Sequence, residues 1–137
     1  MSMTRLSIAA LAIAAALTTG CSKDEDVASF IAEFDTFSST IVKSVKSAPS
    51  LPAGIDAAQK YLDANKESIR TKLAAIKEVK NFQISEETKK KLETSFMTNA
   101  QSVASLPLDY VGPLAMNEAL RVKMEKLIND YRDTVAK

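Results

Sequence analysis

The stretch 27–45, VASFIAEFDTFSSTIVKSV, has apolar side chains that recur every three or four residues. An α-helix has 3.6 residues per turn, so this spacing places those side chains on one face of a helix. It predicts a first helix over 22–47, in which Ser22 and Glu25 have the spacing of an N-terminal capping box. The inward-facing residues are predicted to be Val27, Phe30, Ile31, Phe34, Phe37, Ile41, Val42 and Val45.

A second amphipathic segment follows a turn. Pro49, Pro52 and Gly54 predict that the first helix ends and that the chain turns over 48–54. The next helix is predicted over 55–80, and its apolar stripe weakens at 65–66, which marks a place for a kink or break. Its apolar face comprises Ile55, Ala58, Leu62, Ile69, Leu73, Ile76 and Val79.

Two more helices are predicted in the C-terminal half. Ser85 precedes two glutamates, a pattern typical of an N-cap, and a third helix is predicted over 86–104. The segment 105–113 contains two prolines and is predicted to be a loop, and a fourth helix follows over 114–135. The inward-facing residues are Leu92, Phe96, Met97, Ala100 and Val103 in the third helix, and Leu120, Met124, Leu127, Ile128, Tyr131 and Val135 in the fourth.

These four segments predict an all-α fold, because none of them shows the sustained alternation of a half-buried strand. Four helices with short connections pack most simply as an up-down four-helix bundle. The tripeptide Ser-Leu-Pro at 50–52 recurs at 105–107, and the same offset of about 55 residues superimposes several apolar positions. The bundle would then consist of two similar helical hairpins; the alternative is a chance register between amphipathic helices.

The N-terminus has the features of an export signal. Arg5 is followed by an apolar run over 6–17 and by small residues, the pattern of a secretory signal peptide. This run is shorter than the roughly 20 residues that a transmembrane helix needs. Thr19-Gly20-Cys21 resembles the end of the lipobox in the bacterial lipoprotein class. The resemblance implies a diacylglyceryl group on Cys21, cleavage before it, and an acyl chain such as palmitate on its new amino group.

Cys21 is the only cysteine in the chain. A single exported cysteine is a free thiol, a link between two chains or a modification site, and its place after the apolar run favours modification. We therefore predict a signal peptide over 1–20 and one helical-bundle domain over 21–137, attached to a membrane by lipid on Cys21. Ser22 follows the cysteine, and by the same resemblance this residue favours anchoring in the outer membrane, with the domain on the periplasmic face. Anchoring in the inner membrane and exposure at the cell surface are the alternatives.

The composition argues against nucleic acid as a partner and against catalysis. Arg5 is the only charged residue before Cys21, so the domain carries 17 basic and 17 acidic side chains. A nucleic-acid-binding protein usually has a basic excess. The chain has no histidine, which excludes Ser-His-Asp and Cys-His catalytic sites and leaves haem, di-iron and zinc without their usual ligand. Glu33 and Asp35 are two residues apart, so they point to different faces of the first helix. We predict no enzyme, cofactor or metal site.

Three features could bind a ligand. Leu108, Tyr110 and Val111 form the strongest candidate for a partner-binding loop, since exposed apolar and tyrosine side chains anchor interfaces; the alternative is a lid over one end of the bundle. The basic run 89–91 could bind anionic lipid or glycan phosphates, or could be a solvated face. Phe30, Phe34 and Phe37 could line an apolar pocket, or could be core.

The sequence thus predicts a non-enzymatic helical interaction or scaffolding module in the bacterial cell envelope. Its expected partners are the membrane, through the lipid on Cys21, and another envelope protein; the oligomeric state is left undetermined. One alternative is an inhibitor or immunity-type lipoprotein that blocks a periplasmic hydrolase or toxin. Another is a carrier of an apolar ligand between helices.

Overall fold

The computed structural model describes residues 22–136, and this part of the chain consists of helices joined by short connections, without strands. The helices are α1 Asp24–Ser47, α2 Leu51–Lys77, α3 Glu86–Ala104, α4 Leu106–Asp109, α5 Val111–Met116 and α6 Glu118–Ala136. A 3₁₀ turn at Asn81–Gln83 connects α2 to α3. The predicted all-α helical bundle is confirmed. Cys21 and the predicted signal peptide lie outside the described residues.

The N-terminal boundaries of the long helices follow from local hydrogen bonding. The Ser85 hydroxyl accepts a hydrogen bond from the Thr88 backbone N–H, which confirms the predicted N-cap of α3. The predicted capping box of α1 is wrong, because its N-cap is Lys23, whose side chain makes no cap hydrogen bond. The acidic residues of the first turn stabilise this end of α1 through the helix dipole instead.

Helix α2 begins four residues earlier than predicted. Ser50 caps it by accepting a hydrogen bond from the Ala53 N–H, and Pro52 stands in the first turn, where a helix needs no proline N–H. The kink expected at 65–66 is absent, since α2 runs unbroken from Leu51 to Lys77. The Asn65 side chain donates to the Tyr61 carbonyl without interrupting the helix.

The segment 105–113, predicted to be a loop, mostly forms the short helices α4 and α5. Pro107 lies in the first turn of α4, where a helix needs no hydrogen bond from the proline nitrogen, so it is compatible with the start of this helix. Leu106 and Leu114 are buried and attach the two short helices to the core. The end of the bundle is therefore closed by ordered helical turns.

The helices alternate in direction along the chain. Helices α1 and α2 form an antiparallel hairpin, as shown by the approach of Gly54, early in α2, to Val45, late in α1. Helix α3 packs alongside α1, and α6 alongside α2. The two helices of each pair run parallel. For α1 and α3, this is shown by contacts at both ends: Asp24 at the start of α1 bonds to Ser85, just before α3, and Lys46 at the end of α1 pairs with Asp109, just after α3.

Aromatic side chains fill the centre of the bundle. Phe34 is 1% exposed and its ring centroid lies 4.8 Å from that of Phe96 on α3. Phe37 stacks on Tyr131 of α6, with 6.0 Å between centroids. Such pairs stabilise a core beyond the area they bury. Phe30, Phe34 and Phe37 are therefore core residues. Phe34 and Phe37 are almost fully buried, so these two do not line a ligand pocket.

Most predicted inward positions of α1, α2 and α6 are buried or partly buried, but α3 is rotated from its predicted orientation. Met97 is 73% exposed and Ala100 is exposed, although both were expected inside. Ser95 and Asn99 are buried in their place. Polar contacts with α1, described below, stabilise this rotation. Among residues 22–136, no helix has the length and hydrophobicity that crossing a membrane requires.

Candidate interaction site

The predicted partner-binding residues lie where α4 and α5 close one end of the bundle. Leu108 is 74% exposed and Val111 is 59% exposed, and both line an apolar hollow of about 370 Å³. Tyr110 is only half-buried and packs against the core cluster, so it does not join them. The hollow is completed by Pro107, Leu114, Ala115, Arg121, Met124 and Glu125.

The alternation of inward and outward leucines explains how this end is built. Leu106 is fully buried, whereas Leu108, two residues later, points away from the core. Lys46 at the end of α1 forms an ion pair with Asp109 at 2.9 Å, which ties α4 to the bundle. The hydrogen bond to Asp109 raises the pKa of the Lys46 ammonium. The hollow is thus held by buried leucines below and an ion pair at its side.

Charged side chains border the hollow, and the helices α5 and α6 that line it carry two further exposed apolar residues. The Arg121 guanidinium lies 3.9 Å from a Glu118 oxygen and 3.8 Å from a Glu125 oxygen. Met116, the last residue of α5, is 91% exposed, and Val122 in α6 is 55% exposed; neither of them lines the hollow. An apolar centre with a polar rim is the usual anatomy of a protein interface. The sequence pattern did not single out these last two residues, because one exposed residue in a helix gives no periodic signal.

A larger polar groove, of about 750 Å³, lies between α1 and α3. Asp35 Oδ1 accepts hydrogen bonds from Ser95 Oγ at 2.5 Å and Asn99 Nδ2 at 2.6 Å. Glu33 lies on another face of α1 and pairs with Lys72, which confirms that the two carboxylates diverge. The carboxylate of Asp35 is therefore fixed by two buried donors and can accept a hydrogen bond from a polar ligand.

The basic run 89–91 borders the same groove without forming a concentrated positive site. Lys89 pairs with Glu86 at 2.5 Å, and Lys91 pairs with Glu87 at 2.7 Å. The carboxylate of Glu87, whose pKa is lowered by its hydrogen bond to Lys91, offsets the positive charge beside it. These pairs favour the interpretation of the run as a solvated helix face.

Tyr131 contributes a buried polar contact where α6 meets α1. Its hydroxyl lies 2.7 Å from the Ser38 hydroxyl, and both residues are at most 2% exposed. Burial raises the pKa of Tyr131 to about 12, against the opposing effect of the Ser38 hydrogen bond. This pair satisfies both hydroxyls inside the core and has no opening to a reacting group, so it is structural.

The geometry defines the class of the molecule as an all-α helical bundle with an apolar hollow at one end and a polar groove along its side. In residues 22–136 no group of three or more histidine, cysteine, aspartate or glutamate side chains could hold a metal ion. No family model, curated protein or solved structure matches the chain.

Proposed function

We propose that the protein is a lipid-anchored, non-enzymatic interaction module of the bacterial cell envelope. In this proposal the chain is cut before Cys21, carries lipid on that residue, and faces the periplasm from the outer membrane. The observation that carries the proposal is the exposed apolar hollow around Leu108 and Val111, which offers a binding site to another protein.

The position of the hollow suits an anchored module. Helix α1 begins at Asp24, three residues after Cys21, and contains 24 residues. At 1.5 Å per residue it is about 36 Å long. The ion pair between Lys46 and Asp109 places α4 beside the far end of α1. A lipid on Cys21 would therefore hold one end of the bundle at the membrane and present the hollow to the periplasm.

This orientation favours a different protein as the occupant over a second copy. Two copies anchored in one leaflet would turn their hollows in the same direction, away from the membrane, so the hollows could not meet end to end. A volume of about 370 Å³ accommodates one or two large apolar side chains. We therefore expect the partner to be an envelope protein that inserts an apolar residue, with polar contacts to the rim formed by Arg121 and Glu125.

Recovery of partners from gently solubilised membranes tests the proposal. Leu108→Asp puts a charge into the hollow, and we expect it to reduce partner recovery at least tenfold, because an unpaired carboxylate would be buried at the contact. Met97→Asp is the matched control, since Met97 is 73% exposed on α3, outside the hollow. Circular dichroism should show both variants folded. Equal recovery by the two variants would contradict the assignment of the hollow.

The same experiment separates the alternatives. A stoichiometric structural partner supports the scaffolding role, whereas recovery of a lytic enzyme or toxin supports the inhibitor role. Co-purified lipid or another apolar molecule supports the carrier role. The anchor is tested by Cys21→Ser, which should give an uncut, unlipidated precursor by mass spectrometry. A variant that is processed and lipidated like the parent chain would refute the anchor.

A further inference from the structure

Phe82 is the most exposed aromatic side chain of the described residues, at 81%. It lies in the 3₁₀ turn Asn81–Gln83, which connects α2 to α3 at the end of the bundle opposite α4 and α5. A phenyl ring this exposed gains nothing from the fold, because its apolar surface remains in water. The packing within the bundle therefore does not account for Phe82.

The 3₁₀ turn is attached to the beginning of α1. The backbone N–H of Lys23 donates to the carbonyl of Gln83 at 2.6 Å. The Asp24 carboxylate accepts a hydrogen bond from the Ser85 N–H at 2.8 Å, and this bond lowers the pKa of Asp24. Two hydrogen bonds thus fix the turn beside Lys23 and Asp24, which are the second and third residues after Cys21.

The composition of the turn also suits an interface between water and lipid. The tip 81–85, Asn-Phe-Gln-Ile-Ser, contains no charged side chain. Insertion of the ring of Phe82 alone would leave the Asp24 carboxylate, which bonds to Ser85 at the base of the tip, among the hydrated headgroups, so no ion would enter the poorly hydrated region. The Asn81 amide can hydrogen-bond to headgroups, as can the NH₂ group of Gln83, whose Oε1 accepts the Lys80 backbone N–H, while the ring between them reaches the acyl boundary.

We infer that Phe82 is a second membrane contact, which inserts its ring into the lipid bilayer beside the acylated Cys21 and holds the bundle upright. The inference rests on the proposed lipid anchor, which brings this end of the bundle to the bilayer. A single flexible attachment would let the domain tilt freely. Two attachments, one of lipid and one of a phenyl ring fixed to α1, restrict the tilt and direct the hollow around Leu108 away from the membrane.

Tryptophan fluorescence tests this contact, because the chain contains no tryptophan. Phe82→Trp places a reporter at the proposed contact, and Met116→Trp places the matched control at the opposite end, where Met116 is 91% exposed. Each full chain is expressed, processed, purified in detergent and reconstituted into vesicles of phosphatidylcholine and phosphatidylglycerol. Brominated acyl chains in the vesicles quench a tryptophan that enters the bilayer. Mass spectrometry of the same samples reports the lipid at the N-terminus.

We expect the tryptophan at 82 to emit at shorter wavelength and to lose most of its fluorescence in brominated vesicles, while the one at 116 does neither. A lipidated protein whose tryptophan at 82 is not quenched would overturn the membrane contact and leave the anchor in place. Equal quenching at both positions would overturn the upright orientation, since the bundle would then lie on its side. An N-terminus without lipid would overturn the proposed anchor and this inference together.

Discussion

Gly54 gives the most direct test of the packing between α1 and α2. A Cβ atom added there would lie 2.7 Å from the Val45 carbonyl oxygen and 3.0 Å from both the Ser44 oxygen and the Val45 Cα. All three atoms belong to the backbone of α1, so no side chain can move aside. Gly54→Ala would therefore push the two helices of the hairpin apart.

The expected magnitude follows from two opposing effects. Replacing a helical glycine with alanine contributes about 0.5–1 kcal/mol of stability through the lower entropy of the unfolded chain. Overpacking a well-packed contact costs about 1–3 kcal/mol, and a contact with rigid backbone belongs at the upper end of that range. Gly54→Ala should accordingly lower the free energy of unfolding by about 1–2 kcal/mol.

Gly112 provides a matched control, for which the expected change in the free energy of unfolding has the opposite sign. An added Cβ there meets nothing within 4 Å, and its φ angle is not positive. Gly112→Ala should therefore raise the free energy of unfolding by about 0.4–1 kcal/mol. Urea unfolding, followed by circular dichroism at the helical minimum, measures both. If Gly54→Ala were as stable as the parent chain, the close approach of Gly54 to Val45 would be wrong.

Two further predictions concern buried polar side chains. Asn99→Ala removes the hydrogen bonds that Asn99 donates to Asp35 and to the Ser95 carbonyl, and should lower the free energy of unfolding by about 1–3 kcal/mol. Thr98→Ala, at an exposed neighbouring position, should change it by less than about 0.5 kcal/mol, and equal effects in urea unfolding would contradict the network. Tyr131 keeps its proton to about pH 12 in the folded state and loses it near pH 10 when unfolded. Its contribution is complete below pH 10 and is lost between pH 10 and 12, so the parent chain should lose about 1.4 kcal/mol per pH unit more than Tyr131→Phe there. Parallel pH profiles of the two proteins would refute the burial of this phenol.

The sequence was sufficient to predict the all-α fold and most of the core. Helix formation depends on contacts three and four residues apart, so the apolar period of α1 specifies both the helix and its buried face. The positions of Phe34 and Phe37 on that face and the N-cap at Ser85 were correctly predicted for this reason. The start of α2 was misplaced because Pro52 breaks a helix in its interior but is well tolerated in its first turn.

The candidate binding site was predicted only in part. Leu108 and Val111 line one hollow, but Tyr110 packs against the core, because a short helix with a turn on each side gives no period that separates inward from outward residues. The exposure of Phe82 was not predicted either. A single aromatic residue in a connection is equally consistent with a core contact, and only the tertiary structure shows that Phe82 is exposed beside the start of α1.

The helical character of the domain follows from local sequence, because the backbone conformation of each helix depends on residues within two turns of one another. The buried face of α3, in contrast, is set by its contacts with α1. The Asp35 carboxylate on α1 accepts hydrogen bonds from the Ser95 hydroxyl and the Asn99 amide, and satisfying these polar groups outweighs burying Met97, which stays in water. Such a contact joins residues about 60 positions apart, and no local pattern can specify it.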